Sequence, residues 1–131
     1  MVLQGHTGAL AGAVFSLDGR RIVTTSWDHT ARVWDTKDGR SLAVLPGHTN
    51  IVWRARFSSD GRRIITSSWD HTARVWDSNN YGLLAALQGN EGGVMEAAFS
   101  PDGRYIVTAS EEAARIWQIF TLDDIERILS K

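Results

Sequence analysis

Cysteine is absent from the chain, which rules out disulfide bonds and thiolate-held metals and leaves the redox compartment open. Neither sign of charge is in excess: 14 Lys and Arg stand against 15 Asp and Glu, a net charge of −1, and no basic run breaks the mixture. That balance offers no electrostatic grip on nucleic acid or anionic lipid. Long apolar runs are missing as well, and no segment approaches the roughly 18 residues of a membrane span. Met1–Leu10 carries Gln4, Gly5, His6 and Thr7 where a secretion signal needs a basic stretch and an apolar run. These absences predict a cytoplasmic protein that binds neither nucleic acid nor membrane. Its 131 residues suffice for one ordinary domain.

What the chain has in abundance is repetition. Gly5-His6 returns as Gly47-His48 and, altered, as Gly89-Asn90, at intervals of 42 residues. Phe15-Ser16 returns as Phe57-Ser58 and Phe99-Ser100, and Asp18-Gly19-Arg20 as Asp60-Gly61-Arg62 and Asp102-Gly103-Arg104. The string SWDHTARVWD runs unchanged from Ser26 to Asp35 and again from Ser68 to Asp77. Its third copy, Ser110 to Trp117, is shortened by one residue and carries Glu111-Glu112 in the turn.

Each period holds strand-like pieces separated by turn residues. In the second copy, Ile51–Phe57 reads as a first strand and Ser59-Asp60-Gly61-Arg62 as a hairpin turn. Arg63–Ser68, rich in β-branched residues, is a second strand; Asp70-His71-Thr72 turns the chain into a third, Ala73–Trp76. After the turn-forming Ser78-Asn79-Asn80, Leu83–Leu87 is the fourth. Four short antiparallel strands per period of about 40–45 residues describe a propeller blade.

The order GH, FS, DG, D and WD resembles the WD40 family over roughly residues 3–119. The resemblance implies an all-β fold of three propeller blades, at about 4–45, 46–87 and 88–120, and a buried hydrogen-bond network in each. Its members would be His6, Ser26, Asp28 and Trp34 in the first blade and His48, Ser68, Asp70 and Trp76 in the second. The third departs: Asn90 replaces the histidine and Glu111 the aspartate, leaving Ser110 and Trp117. A weaker pinning of that blade is expected, at about 1–3 kcal/mol per orphaned buried group.

A His, an Asp and a hydroxyl in one place invite a catalytic triad. Here the set occurs in two copies, each with a Trp whose indole N–H also needs a partner, and repetition argues for structure. His29 and His71 lie in a duplicated turn, not in the converging segments that a metal site requires. Glu111-Glu112 reads as a drifted turn instead of an acid–base pair. Hydrolase or lyase chemistry would call for an unrepeated polar cluster at the central channel, and the sequence offers none. No catalytic residue, metal or cofactor is therefore expected.

Six tryptophans in so short a chain each need a role. Trp34, Trp76 and Trp117 take the family's third-strand position. Trp27 and Trp69 precede the turn aspartate, and Trp53 follows the start of a first strand, where its counterparts are Ala11 and Met95. The resemblance implies that such positions reach the rim of the face on which propellers capture peptides. Trp53, Arg54, Trp27, Trp69 and Met95 are the candidate rim residues, with packing between blades the alternative for Trp27 and Trp69.

Three wedge-shaped blades do not close a ring, which has four to eight. Two flanks are left open, and if each exposes about 400 Å² of apolar surface, covering one is worth roughly 10 kcal/mol. Met1-Val2-Leu3 is a stub of the fourth-strand position and could complete the last blade of another copy. Residues 121–131 read as a short helical tail, capped at Thr121-Leu122-Asp123-Asp124, with Leu122, Ile125, Ile128 and Leu129 on one side. The expected assembly is head-to-tail with itself, a homodimer of six blades ahead of a homotrimer of nine. The alternative is the C-terminal slice of a longer array, similar to those that end large bacterial signalling NTPases. In either case the expected work is non-enzymatic binding of a protein or peptide, or, in the alternative, a purely structural role.

Overall fold

The structure, a computed structural model, describes residues 1–119 and 128–130. Most of the expected helical tail at 121–131 lies outside the described residues; Ile128 and Leu129 are helical.

The described residues form three antiparallel sheets. The first holds β1 (Leu10–Phe15), β2 (Arg21–Ser26), β3 (Ala31–Asp35) and β4 (Ser41–Leu45), paired in that order. The second repeats it with β5 (Val52–Phe57), β6 (Arg63–Ser68), β7 (Ala73–Asp77) and β8 (Leu83–Leu87). The third has β9 (Val94–Phe99), β10 (Tyr105–Ser110) and β11 (Ala114–Gln118), and among the described residues no outer strand pairs with β11. This is the all-β arrangement expected from the repeat; most of the segment in which a fourth strand of the last blade would fall lies outside the described residues.

The hairpins follow from their turn chemistry. Gly61 takes φ +73°, and its N–H reaches the Ser58 carbonyl at 2.9 Å. A side chain there would strain the left-handed backbone. Asp60 locks the turn by accepting the Ser58 hydroxyl at 2.7 Å and the Arg62 N–H at 2.9 Å. Between the second and third strands, His29 and His71 occupy the left-handed region at φ 73° and 72°. The Ser26 and Ser68 N–H groups span these turns to the Thr30 and Thr72 carbonyls at 3.1 Å. In the third blade the missing residue tightens the loop, so that Ser110 N–H reaches Ala113 at 2.9 Å.

Cores lie between the sheets. Val23 and Val33 of the first blade pack on Val52, Ile64 and Trp76 of the second. Ile65 and Val75 of the second pack in the same way on Val94, Ala97 and Ile106 of the third. Burying such a side chain is worth about 1.5–3 kcal/mol. The sequel of the series breaks: Val107 and Ile116, the counterparts of Ile65 and Val75, are 45% and 77% exposed. At the opposite end Leu10 and Phe15, whose counterparts Val52 and Phe57 lie in or against the core, are 59% and 63% exposed. Both flanks of the arc are apolar.

Candidate interaction face

Each of the first two blades is pinned by a chain of buried polar groups. The Asp28 carboxylate can only accept, so His6 Nδ1 donates to it, at 2.8 Å. His6 Nε2 is then an acceptor for the Thr24 hydroxyl at 2.7 Å, and Thr24 Oγ1 in turn accepts Trp34 Nε1–H at 2.7 Å. The second blade reproduces the chain from Asp70 through His48 (2.7 Å) and Thr66 (2.8 Å) to Trp76 (3.0 Å).

The hydroxyl that joins histidine to tryptophan is therefore Thr24 or Thr66, not Ser26 or Ser68. Trp34 stands opposite Ile22, which puts Thr24 on the diagonal and Ser26 about 13 Å from Ile22 along the strand. The serines secure the turn instead: Ser26 Oγ donates to the Ala9 carbonyl at 3.0 Å and accepts Asp28 N–H at 3.1 Å. Ser68 does the same with Ile51 and Asp70, at 2.8 and 3.1 Å.

In the third blade Asn90 Oδ1 accepts the Thr108 hydroxyl at 2.9 Å, and Thr108 accepts Trp117 Nε1–H at 3.0 Å. Asn90 Nδ2 donates to the His71 and Leu87 carbonyls of the second blade, both at 3.1 Å. The expected orphaned groups do not arise, because an amide both donates and accepts and so needs no aspartate. Glu111 does not stand in for one: it is exposed, lies against Gly92 and makes no hydrogen bond among the described residues. Ser110 Oγ donates to the Ala113 carbonyl at 3.1 Å.

Burial works against the Asp28 carboxylate, yet hydrogen bonds from Thr30, His6 and the Thr7 N–H overcome it and lower its pKa to about 2. Burial opposes Asp70 too, and its bonds from His48, Thr72 and the Thr49 N–H hold it well below the usual carboxylate range. Although the order of groups imitates a hydrolytic triad, the threonine hydroxyls are buried and each is already engaged by an indole. The arrangement joins the strands of a blade.

The aromatic residues lie outside this network. Trp53 occupies a β-bulge: Val52 pairs with Ser68 and Arg54 with Ser67, which leaves Trp53 the extra residue. Ala11 and Met95 are the extra residues of the same bulge in β1 and β9. A bulge re-aims its side chain out of the pleat's alternation. The Trp53 ring packs on Trp69 with centroids 5.9 Å apart and carries the Arg54 guanidinium 5.5 Å from its own centroid. Arg54 Nη1 also donates to the Ala11 carbonyl of the first blade at 3.0 Å, so its charge is held over the joint. Trp69 lies against Gly93, two residues before Met95. Trp69 and Met95 are 41% and 40% exposed. Trp27 is 54% exposed and stacks on no ring among the described residues. Thus Trp53, Arg54 and Trp69 are brought together, Met95 holds the same bulge position one blade on, and Trp27 stands apart.

Comparison with known proteins agrees with this architecture. The WD40 family, described as WD domain, G-beta repeat, matches residues 1–35, 39–77 and 82–118. Among curated proteins, the chain is 42% identical over 38 residues to cross-pathway control WD-repeat protein 2 of Flammulina velutipes, covering 29% of this chain and 12% of that protein. It is 46% identical over 43 residues to WD repeat, SAM and U-box domain-containing protein 1 of Gallus gallus, covering 33% of this chain and 9% of that one. The solved structures of U3-55K and of the RRP9 WD40 repeats each superpose with a TM-score of 0.85 at 23% identity, covering 91% of this chain and 38% of theirs. At that identity the likeness establishes the fold alone, and the chain spans well under half of each relative.

Proposed function

We propose, starting from a chain that belongs to the WD40-repeat family, that its work is to hold a protein or peptide against the surface where Trp53 and Trp69 stack. The observation that carries this reading is the bulge at Trp53. It presents an indole beside the partly exposed Trp69, with a cation fixed over the ring. Rigid aromatic area with an arginine and an adaptable methionine at hand is the composition of binding hot spots. The module is non-catalytic on this reading, since the His, Asp and hydroxyl groups that imitate a triad are consumed in tying strands together. Proteins recovered from the native source by the wild-type chain should be lost with Trp53→Ala while circular dichroism and mass in solution stay unchanged. Recovery of the same set by both chains would end the rim reading.

A second observation favours self-assembly. Register positions that are buried at both internal joints are exposed at both ends of the arc, and a head-to-tail ring of copies would cover them. A pair of copies makes six blades and is preferred to three copies with nine. Met1–Leu3 of one copy would lie beside β11 of the next, whose outer edge is unpaired among the described residues. The coverage of 38% of the solved relatives favours instead flanks covered by further blades of one longer array. Light scattering separates the two: self-assembly predicts a multiple of 14.5 kDa, and a monodisperse monomer at micromolar concentration would exclude it.

A further inference from the structure

The internal joints predict what the open flanks should meet. In the first joint the Arg21 guanidinium lies 5.6 Å from the Phe57 ring centre and bonds the Ser78 carbonyl and the Tyr81 hydroxyl. In the second, Arg63 lies 5.2 Å from the Phe99 ring and bonds the Gly103 carbonyl at 3.0 Å. That second joint also holds a two-point ion pair, Arg56 with Glu96 at 2.9 and 3.1 Å, and a bond from Ser59 Oγ to the Pro101 carbonyl at 2.7 Å.

Advancing each contact by one repeat of 42 residues, from the third blade onto a first blade, removes its charged members and keeps the phenylalanine ring. Arg63 becomes Tyr105 and Phe99 becomes Phe15. The Arg56–Glu96 ion pair becomes Ala98 and Gly12, and Ser59 with Pro101 becomes Pro101 with Leu17. The Arg56–Glu96 pair has lost both charges, and Arg63 has given way to a neutral ring facing Phe15, so no charge at these positions is left without a partner. Tyr105, Phe15 and Leu17 are 43%, 63% and 69% exposed. The first blade's flank further carries an open cavity of about 420 Å³, lined by Leu10, Ala13, Phe15, Ile22 and the Met1–Leu3 segment. Val107 and Ile116 stand where Val23 and Val33 stand when they pack on Val52 and Ile64, the counterparts of Leu10 and Ile22.

We propose that the flank bearing Tyr105, Val107 and Ile116 docks head-to-tail on the first-blade flank of a second copy of this chain, with Tyr105 on Phe15 and the two aliphatic side chains in the cavity. The occupant is a copy because the Arg56–Glu96 pair loses its two charges on both flanks together, and because the contact continues an interface that the chain already makes in two places. The inference rests on self-assembly and specifies its pairing.

The absence of cysteine makes the test direct. Phe15→Cys and Tyr105→Cys chains, one with a mass tag, are mixed and treated with a short bis-maleimide, after circular dichroism has shown that both fold. The expected product joins Phe15→Cys to Tyr105→Cys, with little product from either chain alone. Products joining like positions, with the mass still above that of a monomer, would leave self-association standing and overturn the pairing. A monomeric mass with no product would overturn both. As a second measure, Tyr105→Arg, which installs the residue of the internal joints, should retain association. Tyr105→Asp should weaken it at least about tenfold; equal association of the two variants would count against the pairing.

Discussion

Trp76 Nε1 donates to Thr66 Oγ1 at 3.0 Å, and neither side chain has appreciable contact with solvent. The same hydroxyl serves His48 on its other side, at 2.8 Å. Thr66→Val keeps the shape of the side chain and leaves two buried polar groups without a partner. At about 1–3 kcal/mol each, the loss should total about 2–6 kcal/mol, a large share of a small domain's stability. Chemical denaturation checks this: the unfolding midpoint should drop steeply. A change under about 1 kcal/mol would show that the indole and imidazole find other partners.

Acid should weaken the fold through the carboxylates of these networks. Asp28 has an ordinary pKa of 3.8 and is lowered to about 2 in the folded chain, and Asp70 is shifted the same way. The unfolded chain therefore binds protons first as pH falls, and the contribution of these groups is whole above about pH 4. The Asp28 share drains away between about pH 4 and pH 2, and the Asp70 share, whose folded value lies lower, persists further into acid. Urea midpoints measured across that interval should fall, and Asp28→Asn with Asp70→Asn should be less stable at neutral pH but flatter across it. An equal slope in the wild type and the double variant would assign the acid sensitivity elsewhere.

Much of the fold is legible in the sequence because a 42-residue period exposes turns and strands in several copies at once. The strand boundaries follow from Asp-Gly and Asp-His-Thr turns whose conformations their own side chains enforce. The network was harder to read. Ser26 and Thr24 lie on one side of the same strand, and only the hairpin register, with Trp34 opposite Ile22, selects Thr24. Counting back from the Asp-His-Thr turn would have found it. The bulge at Trp53 left no such mark: it is a shift in pairing, visible only when the partner strand is in place. Arg21 and Arg63 are not legible in the sequence, because a lone arginine in a strand carries no signal until its ring on the next blade is known.

Among the described residues Asn90 is the one network residue that bonds across a joint, and its loss should loosen two blades at once. Its Oδ1 holds Thr108 in the third blade, and its Nδ2 holds the His71 and Leu87 carbonyls of the second. Asn90→Ala removes all three bonds and leaves the Thr108 hydroxyl buried without its acceptor. The expected cost is about 1–3 kcal/mol, because the two carbonyls lie near the surface and can turn to water. The effect should also be local. Amide exchange should quicken in β9 and β10 before it changes in β2 and β3, because the first blade makes no bond to Asn90. Asn90→His should restore little, since Glu111, at the aspartate's position in the shortened turn, is exposed. Uniform acceleration of exchange across all three sheets would mean that the arc unfolds as one unit and that Asn90 does not act as a hinge pin between its last two blades.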